Sequence, residues 1–149
     1  MEQVAERDQE LSLKLFIVLS RALEAIEKQV VKNVKEYGLN LTEFAVLELL
    51  YHKGDQPIQK IGQKILLASS SITYVVDKLE EKKYLIRKAC PTDRRVTHAS
   101  ITEEGKKLMQ EIFPKHREAI TKIMGGLTPD EKEVVIEKLK KLGLYAQNL

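Results

Sequence analysis

The sequence predicts a single domain that is mostly α-helical with one small β-hairpin, arranged as a winged helix-turn-helix between terminal helices. Segments with apolar residues at helical spacing occupy both ends of the chain. Between them, two shorter helical segments precede two runs rich in β-branched and aromatic residues, which a turn separates. The composition, 43% apolar and 32% charged over 149 residues, is ordinary for a globular domain of this size.

The first helix is predicted from about Val4 to Tyr37, with one apolar stripe formed by Leu11, Leu15, Val18, Ala22 and Ile26. A second set, formed by Leu13, Phe16, Ile17 and Leu19, makes residues 11–19 apolar almost all round. One surface of a helix does not need so much apolar area, so the segment is either a central core helix or a helix shared with a partner subunit. Gly38 is predicted to end this helix, and Asn40 or Thr42 to cap the next.

The middle of the chain predicts a helix-turn-helix. Gly54, Asp55 and Pro57 read as a loop, after which Ile58, Ile61 and Ile65 follow at helical spacing up to a break near Leu67 and Ala68. The next helix has an apolar stripe of Ile72, Val75, Val76 and Leu79, and serines 69–71 in its first turn favour a helix start by capping free N–H groups. Its other face carries short polar, aromatic and cationic side chains that suit a DNA major groove, namely Ser69, Ser70, Ser71, Thr73, Tyr74 and Lys78.

The two runs that follow, Tyr84 to Ala89 and Val96 to Ile101, predict a hairpin with a basic tip at a turn of Pro91, Thr92 and Asp93. Residues 82–98 hold six cations and one acid, a net charge of +5, whereas the whole chain is only +3. Such a concentration of charge is what phosphate neutralisation requires. The predicted contacts are Arg87, Lys88, Arg94 and Arg95, of which the last two can reach a minor groove.

Beyond the hairpin, two further helices are predicted. Thr102 caps a long helix whose inward residues are Leu108, Ile112, Ile120 and Ile123. Pro114 falls inside this helix and is predicted to bend or break it, because proline removes a backbone hydrogen bond. Gly125 and Gly126 end it, and Thr128 to Glu131 is a capping box with proline at the first helical position of the last helix.

Several classes of protein are not indicated. The apolar runs are shorter than a membrane span, and the acidic N-terminus lacks the positive region of a signal peptide, so we expect a cytoplasmic protein without a membrane partner. A single cysteine excludes a disulfide framework, and His52, His98 and His116 lack ligand spacing, so neither a metal nor another cofactor is predicted. Glycine-rich phosphate loops and paired-acid motifs are missing as well, so an enzyme is not predicted.

Cys90 leaves two interpretations open. It is either a small strand residue packed against the wing or a redox or electrophile sensor, because nearby cations favour the thiolate. A winged helix used only for protein contacts is a further alternative, since a fold does not fix a function.

The order and spacing of several motifs resemble the MarR family of bacterial transcriptional regulators, namely Leu79-Glu80, Arg87, Asp93-Arg94-Arg95 and Thr102-Glu103-Glu104-Gly105. The resemblance extends from Leu39-Asn40-Leu41-Thr42 through the C-terminus. It implies an obligate homodimer in which residues of about 40–102 form the DNA-binding lobe and residues of about 1–37 and 103–149 the dimerisation helices. Lys83 stands where glycine is usual, so a left-handed backbone there costs roughly 1 kcal/mol; Gly62 stands where alanine is usual.

The same resemblance implies roles for single residues. The second helix of the motif reads the major groove of a pseudo-palindromic operator, and Arg95, braced by Asp93, enters the minor groove. It also implies a repressor that a small aromatic, phenolic or electrophilic effector releases, bound between the dimerisation helices and the DNA lobe.

Overall fold

The computed structural model describes residues 1–65 and 71–149. The elements are α1 (Glu2–Lys35), α2 (Leu41–Lys53), β1 (Gln56–Pro57), α3 (Ile58–Lys64), α4 (Ile72–Glu81), β2 (Leu85–Ala89), β3 (Thr97–Ile101), α5 (Glu103–Ile123) and α6 (Pro129–Gln147). The predicted fold class is confirmed, because α3 and α4 form the helical pair and β2 and β3 form the wing.

Side-chain caps fix where two helices begin. Asn40 accepts a hydrogen bond from the backbone N–H of Glu43 at 2.8 Å, and the Glu43 carboxylate accepts one from the N–H of Asn40 at 2.9 Å. This reciprocal pair satisfies two N–H groups that the first turn of α2 leaves free. Asn40 rather than Thr42 is therefore the cap, and Thr128 forms the same arrangement with Glu131 at the start of α6.

Two predictions about helices are wrong in part, namely the capping of α4 by Ser71 and the break of α5 at Pro114. Within the described residues, the hydroxyl of Ser71, the residue before α4, makes no capping hydrogen bond, and the buried Val75, Val76 and Leu79 hold the helix against the core. Ser69 and Ser70 lie outside the described residues. Pro114 does not break α5, which is continuous from Glu103 to Ile123. Buried residues on both sides of the proline, Ile112 and His116, hold the helix against the core and offset one lost hydrogen bond.

The sheet has the strand order β1-β3-β2, and both pairs are antiparallel. The strand β1 corrects the prediction of a loop here, since Gln56 pairs with Ala99 and Pro57 with His98. A strand of two residues has no alternation to recognise in the sequence. Its place depends on a partner strand some forty residues further along the chain.

The core lies between α2, the helix-turn-helix, the sheet and α5, and includes the fully buried Leu47, Ile61, Leu79, Leu85 and Met109. Only the C-terminal end of α1 joins it, through Val30 and Val34. The interpretation of residues 11–19 as a core helix is wrong within one subunit, because these side chains are mostly exposed. All residues of α6 are described and none is buried.

Within the described ranges, no helix is both long enough and apolar enough to cross a membrane.

Candidate nucleic-acid interface

The exposed face of α4 is polar, whereas its other face packs in the core through Val75, Val76 and Leu79. Ser71, Thr73 and Tyr74 are exposed. The ammonium of Lys78 lies 5.4 Å from the centre of the Tyr74 ring, which orders two long side chains on one surface. Four residues of the predicted reading face therefore lie together: Ser71, Thr73, Tyr74 and Lys78.

The tip of the wing presents an ordered arginine. The Asp93 carboxylate accepts hydrogen bonds from the backbone N–H of Arg95 at 3.0 Å and from its Nε at 3.1 Å. These bonds lower the pKa of Asp93, so the carboxylate stays ionised. The Arg95 side chain nevertheless remains 91% exposed. This arrangement is the brace that the family resemblance implied: the guanidinium bonds the Asp93 carboxylate through Nε and Nη2, and its exposure leaves it accessible to an anion.

Arg87, predicted as a DNA contact, is engaged by α4. Its Nη1 donates to Glu80 at 2.7 Å and its Nη2 to Asp77 at 2.5 Å, and its backbone N–H donates to Glu80 at 3.3 Å. The hydrogen bond to Asp77 is the main cause that raises the pKa of Arg87. Neither acid was predicted from the sequence, although two carboxylates three residues apart on a helix proposed to face a polyanion were a visible signal.

Lys82 is also engaged. Its ammonium donates to the Glu43 carboxylate at 2.7 Å and to the Gly38 carbonyl at 3.3 Å, and the Glu43 side chain is only 6% exposed. The end of α4 is thereby tied to the α1–α2 junction. Of the six cations counted in the wing region, three therefore pair with a carboxylate of the protein, namely Lys82, Arg87 and Arg95. In the part of the chain that the structure describes, the other three, Lys83, Lys88 and Arg94, form no ion pair with a carboxylate.

Cys90 lies between β2 and the turn, partly exposed, with its Sγ 3.3 Å from the Thr92 hydroxyl oxygen. Hydrogen bonding to Thr92 is the largest cause that lowers the pKa of the Cys90 thiol, while the charge of Asp93 acts in the opposite sense. The prediction that cations lower this pKa is therefore wrong about the cause. The backbone N–H of Cys90 donates to the Val96 carbonyl at 2.9 Å, which closes the hairpin.

A cavity of about 600 Å³ lies between α1, α2 and α5 and reaches the end of α3. Its apolar walls are Val30, Leu41, Phe44, Ala45, Leu49, Ile65 and Ile120, and its polar groups are Glu48, His52, Lys53, Lys64 and His116. From the sequence, His52 and His116 were considered only as metal ligands. The described residues contain no cluster suited to a metal ion, but both histidines line this cavity.

The polar end of the cavity is held in one arrangement. His116 Nδ1 lies 3.0 Å from the Asn33 amide oxygen, its Nε2 lies 4.0 Å from the Glu48 carboxylate, and its ring lies 4.4 Å from that of Phe44. The amide oxygen accepts from Nδ1–H, which leaves Nε2 as an acceptor. Burial lowers the pKa of His116 and raises that of Glu48, so both groups are shifted toward their neutral forms.

Comparisons with known proteins agree on the architecture. The model of the MarR family matches residues 39–97. The HTH-type transcriptional regulator MhqR of Bacillus subtilis is 62% identical, over 93% of this chain and 95% of that protein. Among solved structures, AbsC, a MarR family transcriptional regulator from Streptomyces coelicolor, has a TM-score of 0.81 at 17% identity and covers 92% of this chain and 95% of that one. Sco3205 from the same organism, solved in complex with DNA, has a TM-score of 0.76 at 19% identity, over 91% and 86% of the two chains.

Proposed function

The chain belongs to the MarR family of transcriptional regulators, and from that premise we propose that it is a homodimeric repressor released from its operator by a small aromatic or phenolic effector. Membership makes it a DNA-binding regulator and not an enzyme, and leaves little support for a winged helix that serves protein contacts alone. The observation that best supports this proposal is that the polar face of α4 and the exposed, braced Arg95 occur in one winged-helix lobe.

In this proposal α4 enters the major groove. Hydroxyl and phenol groups of Ser71, Thr73 and Tyr74 meet base edges, and Lys78 adds charge. Ser69 and Ser70 belong to the same proposed face by sequence. In the wing, Arg95 enters the minor groove with Asp93 as its brace, while Lys88 and Arg94 neutralise phosphates. The operator is a pseudo-palindrome whose half-sites lie about one helical turn, roughly 10 base pairs, apart.

The substitution Arg95→Ala tests the wing contact. We expect operator binding to weaken by about 1–3 kcal/mol and the slope of log K against log salt to fall by about 1, because a phosphate-proximal cation is lost. Fluorescence anisotropy of a labelled operator, selected by sequencing genomic fragments that the protein retains, measures both quantities. Lys138→Ala on α6 removes one exposed charge outside the lobe and serves as the control. Equal affinity of Arg95→Ala and the parent at every salt concentration would exclude Arg95 from the interface.

The cavity between α1, α2 and α5 is the proposed effector site. Its walls suit an aromatic body, and Glu48 and His116 are placed at its polar end to exchange a hydrogen bond with a hydroxyl group. The cavity is bounded on one side by the proposed dimerisation helices and on the other by α2 of the DNA lobe. A bound ligand therefore contacts both lobes, and release from DNA follows if the ligand favours a different angle between them.

Two variants separate this mechanism from thiol sensing, which the lowered pKa and partial exposure of Cys90 favour as the alternative. Ala45→Phe fills the cavity, so we expect it to bind operator normally and to need at least about tenfold more phenol or catechol for release. Cys90→Ser should respond like the parent. The assay follows anisotropy of the operator complex during titration with phenol, catechol, 1,4-benzoquinone and hydrogen peroxide. If Cys90→Ser alone resists release, the thiol is the sensor and the cavity is not.

A further inference from the structure

We infer that Arg87 is a positioning residue that fixes the wing against α4 through Asp77 and Glu80 and does not itself bind DNA. The inference rests on the proposed role of Arg95 in operator binding. It concerns a different question, namely what holds Arg95 at the correct distance from the helix that reads the major groove.

The geometry of Arg87 uses both ends of its guanidinium fork. One end bonds Glu80 at 2.7 Å, the other bonds Asp77 at 2.5 Å, and the backbone N–H of Arg87 bonds Glu80 as well. Three hydrogen bonds thus join β2 to residues of α4 that are separated by three positions. The Arg87 side chain is only 30% exposed, whereas that of Arg95 is 91% exposed. A guanidinium held in this way has few donors left for a phosphate.

The local charge points in the same direction. Asp77, Glu80 and Arg87 together carry a net charge of −1, so the cluster as a whole repels phosphate. To bind DNA, Arg87 would have to leave two carboxylates, and their repulsion would then oppose the contact. The acids therefore weaken long-range attraction of DNA, and holding the wing in place is the compensating role that the contacts support.

The position of Arg87 in the hairpin explains what its bonds add to the pairing of β3 with β1. Only residues 82–84 connect α4 to β2, and among them Lys83 has a left-handed backbone with φ of 69°. Rotation of the hairpin about this short connection moves its tip most. Arg87 lies in the middle of β2 and pairs with Ala99, a fully buried residue of β3. Its bonds to α4 therefore restrain both strands beyond the connection, and with them Arg95.

The decisive test is the double substitution Asp77→Asn, Glu80→Gln. Removing two negative charges beside a DNA-binding surface should strengthen binding if only long-range electrostatics matter. The positioning role predicts the opposite sign, a loss of about tenfold in operator affinity. Glu81→Gln is the matched control, because this acid is on the same helix but contacts Lys78 at 3.6 Å instead of the wing. Tighter binding by the double variant would overturn the inference.

Two further measurements separate positioning from simple loss of structure or of a phosphate contact. In the Arg95→Ala background, Arg87→Gln should leave the salt slope unchanged, whereas a phosphate contact by Arg87 itself would lower the slope there by about a further 0.9. In a double-mutant cycle, Arg95→Ala should cost less in the Asp77→Asn, Glu80→Gln background than in the parent, because Arg95 is already displaced. Additive effects in the cycle would overturn the positioning role of Arg87 but not the proposed contact of Arg95 with DNA. If Arg95→Ala has no effect in the parent, the proposed interface itself fails.

Discussion

Replacing Phe16 with glutamate is expected to convert the proposed homodimer into monomers and to abolish operator binding at concentrations that saturate the parent protein. In one subunit Phe16 is 72% exposed and Leu13 is 69% exposed, and both lie in the segment that is apolar almost all round. Helix α6 also exposes several large apolar side chains, including Val134, Ile136 and Leu144. A monomer with so much exposed apolar surface is unfavourable in water, and a second copy of the chain is the proposed cover.

The size of the effect follows from symmetry. In a two-fold dimer each substitution occurs twice, and an unpaired carboxylate buried in an apolar interface costs about 3 kcal/mol or more. Two copies then raise the dimer Kd by more than about 10,000-fold. DNA binding is lost as a consequence, because a monomer reaches only one half-site and forfeits the gain in effective concentration that a linked second lobe provides.

Sedimentation velocity at micromolar concentration measures the assembly, and anisotropy with full and half operators measures its consequence. Lys14→Glu is the control, because it places the same carboxylate on the polar stripe of the same helix. Circular dichroism should show unchanged helix content, since Phe16 is outside the core of one subunit. A parent protein that sediments as a stable monomer, or a Phe16→Glu variant that remains dimeric, would contradict the proposed assembly.

Local signals in the sequence were enough to predict most of the fold. Asn40 with Glu43, and Thr128 with Glu131, are capping boxes in which each residue acts on a partner three positions away, so the sequence contains the whole interaction. The family resemblance placed Lys83 where glycine is usual and implied a cost for a left-handed backbone there, and Lys83 does adopt that conformation, with a φ of 69°. Pro114 shows the limit of local reasoning, because contacts between α5 and the rest of the core decide whether the helix continues.

The candidate site was predictable only in part, for the same reason. Asp93 and Arg95 are two residues apart, and their contact was implied by the family resemblance. Asp77 and Glu80 lie on α4, whereas Arg87, which they bind, lies on β2. Because the sequence does not show this contact, Arg87 was assigned to DNA on its charge alone. The cavity joins three helices distant in sequence, and its pairing of Glu48 with His116 spans almost seventy residues. Charge composition cannot distinguish a cation that faces solvent from one already bound to an acid.

The substitution Gly105→Ala is expected to destabilise the fold by about 3 kcal/mol, because the site has no room for a methyl group. A Cβ on Gly105 would lie 2.3 Å from the Tyr84 carbonyl oxygen and 2.7 Å from Cγ1 of Ile101. The first contact is with backbone, which cannot rotate away as a side chain can. That carbonyl also accepts the Thr102 N–H at 3.0 Å, so it is fixed from both sides.

A second substitution at the same junction, Lys83→Gly, is expected to raise stability instead of lowering it. Thr102 donates from its hydroxyl to the Lys83 carbonyl at 2.7 Å and accepts from the Gly105 N–H at 3.0 Å, so α5 is sealed onto the connection between α4 and the wing. Lys83→Gly relieves the left-handed strain there and should stabilise the protein by roughly 1 kcal/mol. If the loss of stability in Gly105→Ala exceeds the gain in Lys83→Gly, the space available at the junction affects stability more than the backbone conformation does.

Urea unfolding measures the stability of Gly105→Ala, Lys83→Gly and the control described next. The protein concentration is kept fixed, because the stability of a dimer depends on concentration. Gly126→Ala is the matched control, since a Cβ there meets no described atom within 4 Å and its backbone φ is not positive. It should shift stability by less than about 1 kcal/mol. If Gly105→Ala unfolds at the same urea concentration as Gly126→Ala, the contact with the Tyr84 carbonyl is relieved by a small shift of α5, and the wing is anchored less tightly than its hydrogen bonds to α5 indicate.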